Sequence, residues 1–148
     1  MSESLLNEQI VGQIREAFNN LKEPVAILFF GSRENCEYCE DTRQLLEEVI
    51  AIDDRLELKV YDVDTDHMVA KQFHVDKSPA IVVAAADGDN IVDYGIQYYG
   101  IPSGHEFSTL IQSILMVSSR DSGLSPQSRE FLQNLKTPLL MQVFVTPT

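Results

Sequence analysis

The stretch that most constrains this chain is Val25-Ala26-Ile27-Leu28-Phe29-Phe30, followed at once by Gly31-Ser32-Arg33-Glu34-Asn35 and then by Cys36-Glu37-Tyr38-Cys39, which holds both cysteines of the sequence. An unbroken apolar run of this length reads as a strand buried on both faces, and the polar segment after it is a turn able to start a helix. From Tyr38 onward Thr42, Leu45, Leu46, Val49 and Ile50 recur at helical spacing, so Cys36 and Cys39 are expected on one face of that helix's first turn. Thiols so placed are within reach of a disulfide, which needs Cα atoms about 4.4 to 6.8 Å apart. The unpaired N–H groups and positive dipole end of a helix N-terminus favour a thiolate. Cys36, the first of the pair, is the expected nucleophile, and Cys39 the thiol that resolves a mixed disulfide.

Bulk properties exclude several function classes. A chain of 148 residues with 44% hydrophobic content can bury one ordinary core with some length to spare. A net charge of −12 and a pI near 4.5 argue against nucleic acid and anionic membrane surfaces as partners, and serve solubility. Cysteines three apart cannot staple distant parts of a fold, so the pair reads as redox chemistry or a metal site inside a reducing compartment. The start, Met-Ser-Glu-Ser-Leu-Leu-Asn-Glu, lacks a basic region followed by a long apolar one, and no run approaches membrane-spanning length. The expected address is the cytoplasm. There is no Gly-rich phosphate loop, and so few histidines support no Ser-His-Asp arrangement.

Taken in order, Leu6, Ile10, Ile14, Ala17, Phe18 and Leu21 give an opening amphipathic helix, and Pro24 starts the buried strand. After the cysteine helix, Leu56, Leu58 and Val60 alternate with Glu57, Lys59 and Tyr61, the period of a half-buried strand ending near Val63. Asp64-Thr65-Asp66 offers N-caps for a short helix from about His67 to Phe73. Ser78-Pro79 precedes Ala80-Ile81-Val82-Val83-Ala84, and the turn Asp87-Gly88-Asp89-Asn90 leads to Ile91-Val92-Asp93-Tyr94, a hairpin. Ser103-Gly104-His105-Glu106 has the form of a capping box, opening a helix that carries Phe107, Leu110, Ile111, Ile114 and Leu115 on one face.

The order is α-β-α-β-α-β-β-α. With a Cys-x-x-Cys after the first strand and a proline entering the third, it resembles the thioredoxin and glutaredoxin fold, a central mixed sheet flanked by helices.

Beyond Arg120, the turn-rich segment 121–126 reads as a linker, after which the sequence begins again. Arg129-Glu130 matches Arg15-Glu16, Asn134-Leu135-Lys136 matches Asn20-Leu21-Lys22, Pro138 matches Pro24 and Phe144 matches Phe30, all at one offset. In that register Thr148 corresponds to Glu34, just before the place where a second cysteine pair is expected to fall. The expectation is a redox unit over 1–120, a linker over 121–126, and the first helix and strand of a truncated second unit over 127–148.

This arrangement resembles the tandem, glutaredoxin-like protein disulfide oxidoreductases of thermophilic archaea and bacteria. The likeness is carried by Cys36-Glu37-Tyr38-Cys39, by Ser78-Pro79-Ala80, by the block from Tyr98 to Phe107 and by Val143-Phe144-Val145-Thr146-Pro147-Thr148. It implies a dithiol-disulfide exchange unit acting on protein disulfides without a bound cofactor, a cis Pro79, and a Ser78 backbone that pairs with substrate. It also suggests a flavin-dependent, thioredoxin-reductase-like partner. Relatives carry one pair per unit, so chemistry that needs two cooperating pairs is not expected of this chain.

Glu34, Glu37, Glu40 and Asp41 oppose a thiolate at Cys36, while Arg33 and the helix terminus favour it. Exposed carboxylates are screened over about 8 Å at physiological salt, so the terminus should win narrowly and the pair should be mild or reducing rather than strongly oxidising. A zinc site built from the pair with His67 and His74 ranks below redox chemistry, because the histidines are seven positions apart, outside the usual spacer. A redox-silent thioredoxin-like binding module is the other alternative. His105 is assigned no function, and Tyr94, Tyr98 and Tyr99 are expected to cover a core edge. Tyr38 either packs on the sheet or faces substrate. The apolar segment Leu139 to Val145 is expected to add to a sheet edge, within or between chains, or to drive self-association.

Overall fold

A computed structural model describes residues 3–146. Pro147 and Thr148, which close the apolar block and the repeat register, lie outside the described residues. The elements run α1 (Glu8–Phe18), β1 (Val25–Gly31), α2 (Cys39–Ile50), β2 (Leu56–Asp62), α3 (His67–Gln72), β3 (Ala80–Asp87), β4 (Asn90–Tyr99), α4 (His105–Ser119) and α5 (Pro126–Gln133). The α-β-α-β-α-β-β-α order expected from periodicity is the order found, and the fold is thioredoxin-like.

The sheet is ordered β2-β1-β3-β4. β1 pairs in parallel with β2 and antiparallel with β3, and β3 forms the hairpin with β4. With a partner on each edge and helices on each face, β1 is buried throughout, as its uniformly apolar sequence requires. Its alternate residues serve two cores. Val25, Ile27 and Phe29 join Ile81, Val83 and Ala85 beneath Ile14 and Phe18 of α1, Leu46 and Val49 of α2, and Leu110 and Ile114 of α4. Ala26, Leu28 and Phe30 join Ala80, Val82 and Ala84 beneath α3, where the Phe30 ring stacks on Tyr61 at 5.2 Å. Each large aliphatic or aromatic side chain buried this way contributes about 1.5–3 kcal/mol.

Three local expectations are corrected. In β2, Leu56 is buried and Leu58 partly so, but Val60 is 45% exposed: β2 is an edge strand and its cover fades along its length. Ser103 does not cap α4; Gly104 takes the N-cap position at φ 61° and supplies no side chain, so the capping box is not formed. Asp66 is the N-cap of α3 but caps nothing, because its carboxylate instead accepts the Asp62 N–H at 2.7 Å.

Two polar clasps hold α4 to the connection entering β1 and to β3. The buried Ser118 hydroxyl accepts from Lys22 N at 2.8 Å and donates to Glu23 O at 2.7 Å. Arg120, the left-handed C-cap, donates to Val117 O, Pro24 O and Ala86 O at 2.7–3.0 Å, joining the end of α4 to the residue that enters β1 and to β3. Beyond it, α5 buries no side chain and is tied to its own approach by Arg129, on Asp121 at 2.7 Å and on Leu124 O at 2.8 Å. The strand expected over 139–145 does not form, since no described strand pairs with it. The segment lies open, with Leu140 84% and Phe144 90% exposed. No helix among the described residues is long and apolar enough to cross a membrane.

The N-terminal segment is anchored by Glu48 of α2, which accepts from Leu5 N, Leu6 N, Ser4 Oγ and Gln44 Nε2 at 2.8–3.0 Å. Burial raises its carboxyl pKa, but these four bonds outweigh burial and leave it below the ordinary value. A depressed carboxyl contributes stability that is present above the unfolded pKa and is lost as pH falls through the folded one. Glu48→Gln is therefore expected to cost about 1–2 kcal/mol near neutral pH, a gap that closes as pH drops below about 4, measured by urea denaturation across pH.

Candidate active site

The strand registers bring four loops to one end of the sheet. Phe30 lies opposite Tyr61 of β2 and opposite Ala80 of β3, and Ala80 opposite Tyr99 of β4. The turn leaving β1, the loop leaving β2, the Ser78-Pro79 step entering β3 and the loop leaving β4 therefore share that end. α4 starts there too, and in its first turn burial holds the Glu106 carboxyl above the ordinary carboxylate range.

Cys36 and Cys39 are joined as a disulfide, with Cα atoms 5.4 Å apart. The placement differs from the expectation of one helical turn. α2 begins at Cys39, while Cys36 sits in the preceding turn after Asn35, whose φ of 53° is left-handed. Asparagine tolerates that region better than most residues. Tyr38 occupies the N-cap position and makes no side-chain capping hydrogen bond to α2. The Tyr38 carbonyl accepts from Thr42 N at 3.0 Å and from the buried Thr42 hydroxyl at 2.6 Å, fixing the helix start.

The two sulfurs have different surroundings. Cys36 is half-buried, whereas Cys39 is only 8% exposed and packs in the core beneath α2. Cys39 Sγ accepts the Ser32 backbone N–H at 3.4 Å. Gly31 makes room for this approach: a Cβ there would meet the Phe29 ring at 3.0 Å and Cys39 Sγ at 3.6 Å. The Ser32 hydroxyl lies 2.6 Å from Asp64 Oδ2 and 2.8 Å from Glu34 O, and it accepts the Glu34 N–H at 3.1 Å. A hydroxyl has one proton, and the charged acceptor at the shorter distance takes it.

Charge at the site is mostly negative. Glu34, Glu37, Glu40, Asp41 and Asp64 are exposed around the pair. Arg33, expected to favour a thiolate, has its Nε 3.9 Å from Asp62 and is almost fully exposed, so its charge is shared and screened.

The remaining sequence candidates are located as follows. The Ser78-Pro79 bond is cis, with Pro79 buried, its carbonyl accepting from Gly100 N at 2.9 Å, and Ser78 half-buried. Tyr38 is half-exposed beside the pair, at the N-cap of α2. Tyr98 does cover the core, with its hydroxyl 2.6 Å from Ser113 Oγ, while Tyr94 and Tyr99 are half-exposed on the edge strand. His67, His74 and His105 are exposed, and among the described residues no group of three or more His, Cys, Asp or Glu side chains is arranged to hold a metal ion. Sequence reasoning missed Ser32 and Asp64. Turn chemistry marks each as a loop residue, but nothing local joins partners so far apart in the chain.

A family model described as TraF, F plasmid transfer operon protein, matches residues 1–99, from the N-terminal segment through β4. The chain belongs to the TraF family. No curated protein sequence matches this TraF-family chain. Among solved structures it is similar to the protein disulfide oxidoreductase from Aeropyrum pernix k1, with 29% identity and a TM-score of 0.75 over 88% of this chain and 55% of that one. It is also similar to a mutant of the alkylhydroperoxide reductase AhpF of Enterococcus faecalis, with 25% identity and a TM-score of 0.77 over 88% of this chain and 61% of that one. The NTD_N/C domain of AhpF from the same organism gives 26% identity and a TM-score of 0.74 over 84% of this chain and 58% of that one. This TraF-family chain thus spans less than two thirds of each. The resemblance to tandem protein disulfide oxidoreductases drawn from the sequence holds in three dimensions, and the fold and the Cys-x-x-Cys pair are those of a thioredoxin-like unit.

Proposed function

We propose that this chain is a thiol-disulfide oxidoreductase whose substrates are protein disulfides. The observation that carries the proposal is the bonded Cys36-Cys39 pair at the start of α2, one sulfur half-open and the other buried. In the reducing direction the Cys36 thiolate attacks a substrate disulfide, forming a mixed disulfide and expelling one substrate thiolate. Cys39 then loses its proton to solvent and attacks Cys36 Sγ, closing the Cys36-Cys39 bond and releasing the second substrate thiolate. Two electrons pass to the substrate and two are lost by the dithiol.

The difference in accessibility supports a division of roles. The more accessible Cys36 is the nucleophile, the buried Cys39 resolves, and Ser78, Pro79 and Tyr38 border the end of the sheet where a substrate strand would lie. With an uncapped helix end favouring the thiolate and several carboxylates opposing it, the pair is mild or reducing. A thioredoxin-reductase-like flavoprotein is the reductant in this reading, the cytoplasm its compartment, since a lone close-spaced pair persists there as redox machinery. Residues 1–120 form the redox unit, 121–126 a linker, and 127–148 the start of a second unit. The open segment 139–145 drives self-association.

Two experiments test this. Cys36→Ser is expected to lose insulin disulfide reduction down to background, and Cys39→Ser to accumulate a mixed disulfide through Cys36 that only added thiol releases; wild-type turnover by either variant contradicts the assignment. Light scattering is expected to show concentration-dependent association that is lost on deleting residues 139–148, whereas a whole chain monomeric at every concentration contradicts the role of that segment.

A further inference from the structure

Asp64 touches neither sulfur, yet its carboxylate takes the only proton of a hydroxyl whose own backbone N–H points at Cys39. The residues join two loops: Ser32 follows β1, and Asp64 follows β2. The Asp64 side of the contact is itself anchored, because Asp64 N donates to Asp62 Oδ1 at 2.8 Å and Val63 N donates to Gly31 O at 2.9 Å. The Ser32 turn is thus held against the β2–α3 loop, and the held group is a polar donor on the sulfur of a cysteine almost wholly withdrawn from water. A thiolate in so dry a position depends on such a donor more than an exposed one does, because few waters stand in for it.

We propose that Asp64 and Ser32 are positioning residues that hold the Ser32 N–H on Cys39 Sγ and so stabilise the Cys39 thiolate during resolution of the mixed disulfide. The inference rests on the exchange reaction proposed above and concerns its second step. The electron and atom balance is unchanged: Cys39 gives its proton to solvent, its thiolate attacks Cys36 Sγ, the Cys36-Cys39 bond forms, and the bond from Cys36 to substrate breaks with loss of the substrate thiolate.

Two effects of the Asp64 charge oppose each other, which makes the proposal decidable. Through space, a carboxylate disfavours a nearby thiolate, so neutralising it would speed resolution. Through Ser32, neutralising it loosens the donor and slows resolution. Asp64 is exposed and its direct field is screened, whereas the hydrogen-bonded route is short at every link, so the second effect wins.

The test mixes reduced whole chain with an aromatic disulfide of the dithionitrobenzoate type and follows release of the coloured thiol. The first equivalent reports attack by Cys36 and depends on reagent concentration; the second reports resolution by Cys39 and does not. Asp64→Asn and Ser32→Ala are each expected to slow the second phase about tenfold, the worth of one hydrogen bond to a charged group, with the first phase within about twofold of wild type. Because both act through one contact, the double variant should be no slower than either single one, and Ser32→Thr should restore the rate. A faster or unchanged second phase in Asp64→Asn, or equal slowing of both phases, overturns the positioning role. Absence of both phases in the unaltered chain overturns the exchange reaction itself, so the two failures are distinct.

Discussion

β1 is held from both sides, in parallel by β2 and antiparallel by β3, and the position of every part of the candidate site follows from this double pairing. An entirely apolar strand has no face to offer water, so it is stable only as an interior strand under helices on both sides. Sliding it by one residue against either neighbour would exchange Ile27 and Phe29 for Leu28 and Phe30 between two cores of different size, which fixes the register. Once fixed, the ends of β1, β2 and β4 and the beginning of β3 are brought together, and the cysteine turn has one place to emerge.

At that place local chemistry is finely balanced. The positive end of α2 and the Ser32 N–H favour charge on sulfur, while the surrounding carboxylates oppose it. The favourable groups are fixed backbone dipoles at short range, and the unfavourable ones are exposed side chains in water. Screening weakens the second set far more than the first. Burial separates the two sulfurs further, since Cys39 packs with Leu45, Leu46 and Phe29 in the core while Cys36 borders solvent. In the proposed exchange, the attacking thiol must meet a protein substrate, and the resolving thiol need reach only its neighbour.

Where a pattern is local, the sequence already contained the structure. The buried β1, the amphipathic α1 with Ile14 and Phe18 inward, the β3–β4 hairpin and the face of α4 follow from apolar spacing alone. The failures share a cause: each depended on something spacing does not record. Cys36 falls outside α2 because Asn35 turns left-handed and Tyr38 takes the cap, whereas the helical pattern starts only at Thr42. Ser103 loses its capping role to the backbone of Gly104. Residues 139–145 have the composition of a strand, but a strand is a property of two segments, and no described one pairs with them. The Ser32–Asp64 contact spans two loops and leaves no periodic trace.

The central claim is that these two sulfurs exchange one covalent bond between themselves at the start of α2. Its most direct measurement is an equilibration of the whole chain in glutathione buffers of graded redox state, acid-quenched, alkylated and weighed by mass spectrometry. The account predicts one transition from an unlabelled to a doubly labelled chain, centred within the buffered range and lost when either cysteine is replaced. A chain whose two thiols stay labelled, or stay bonded, across the whole series would contradict it.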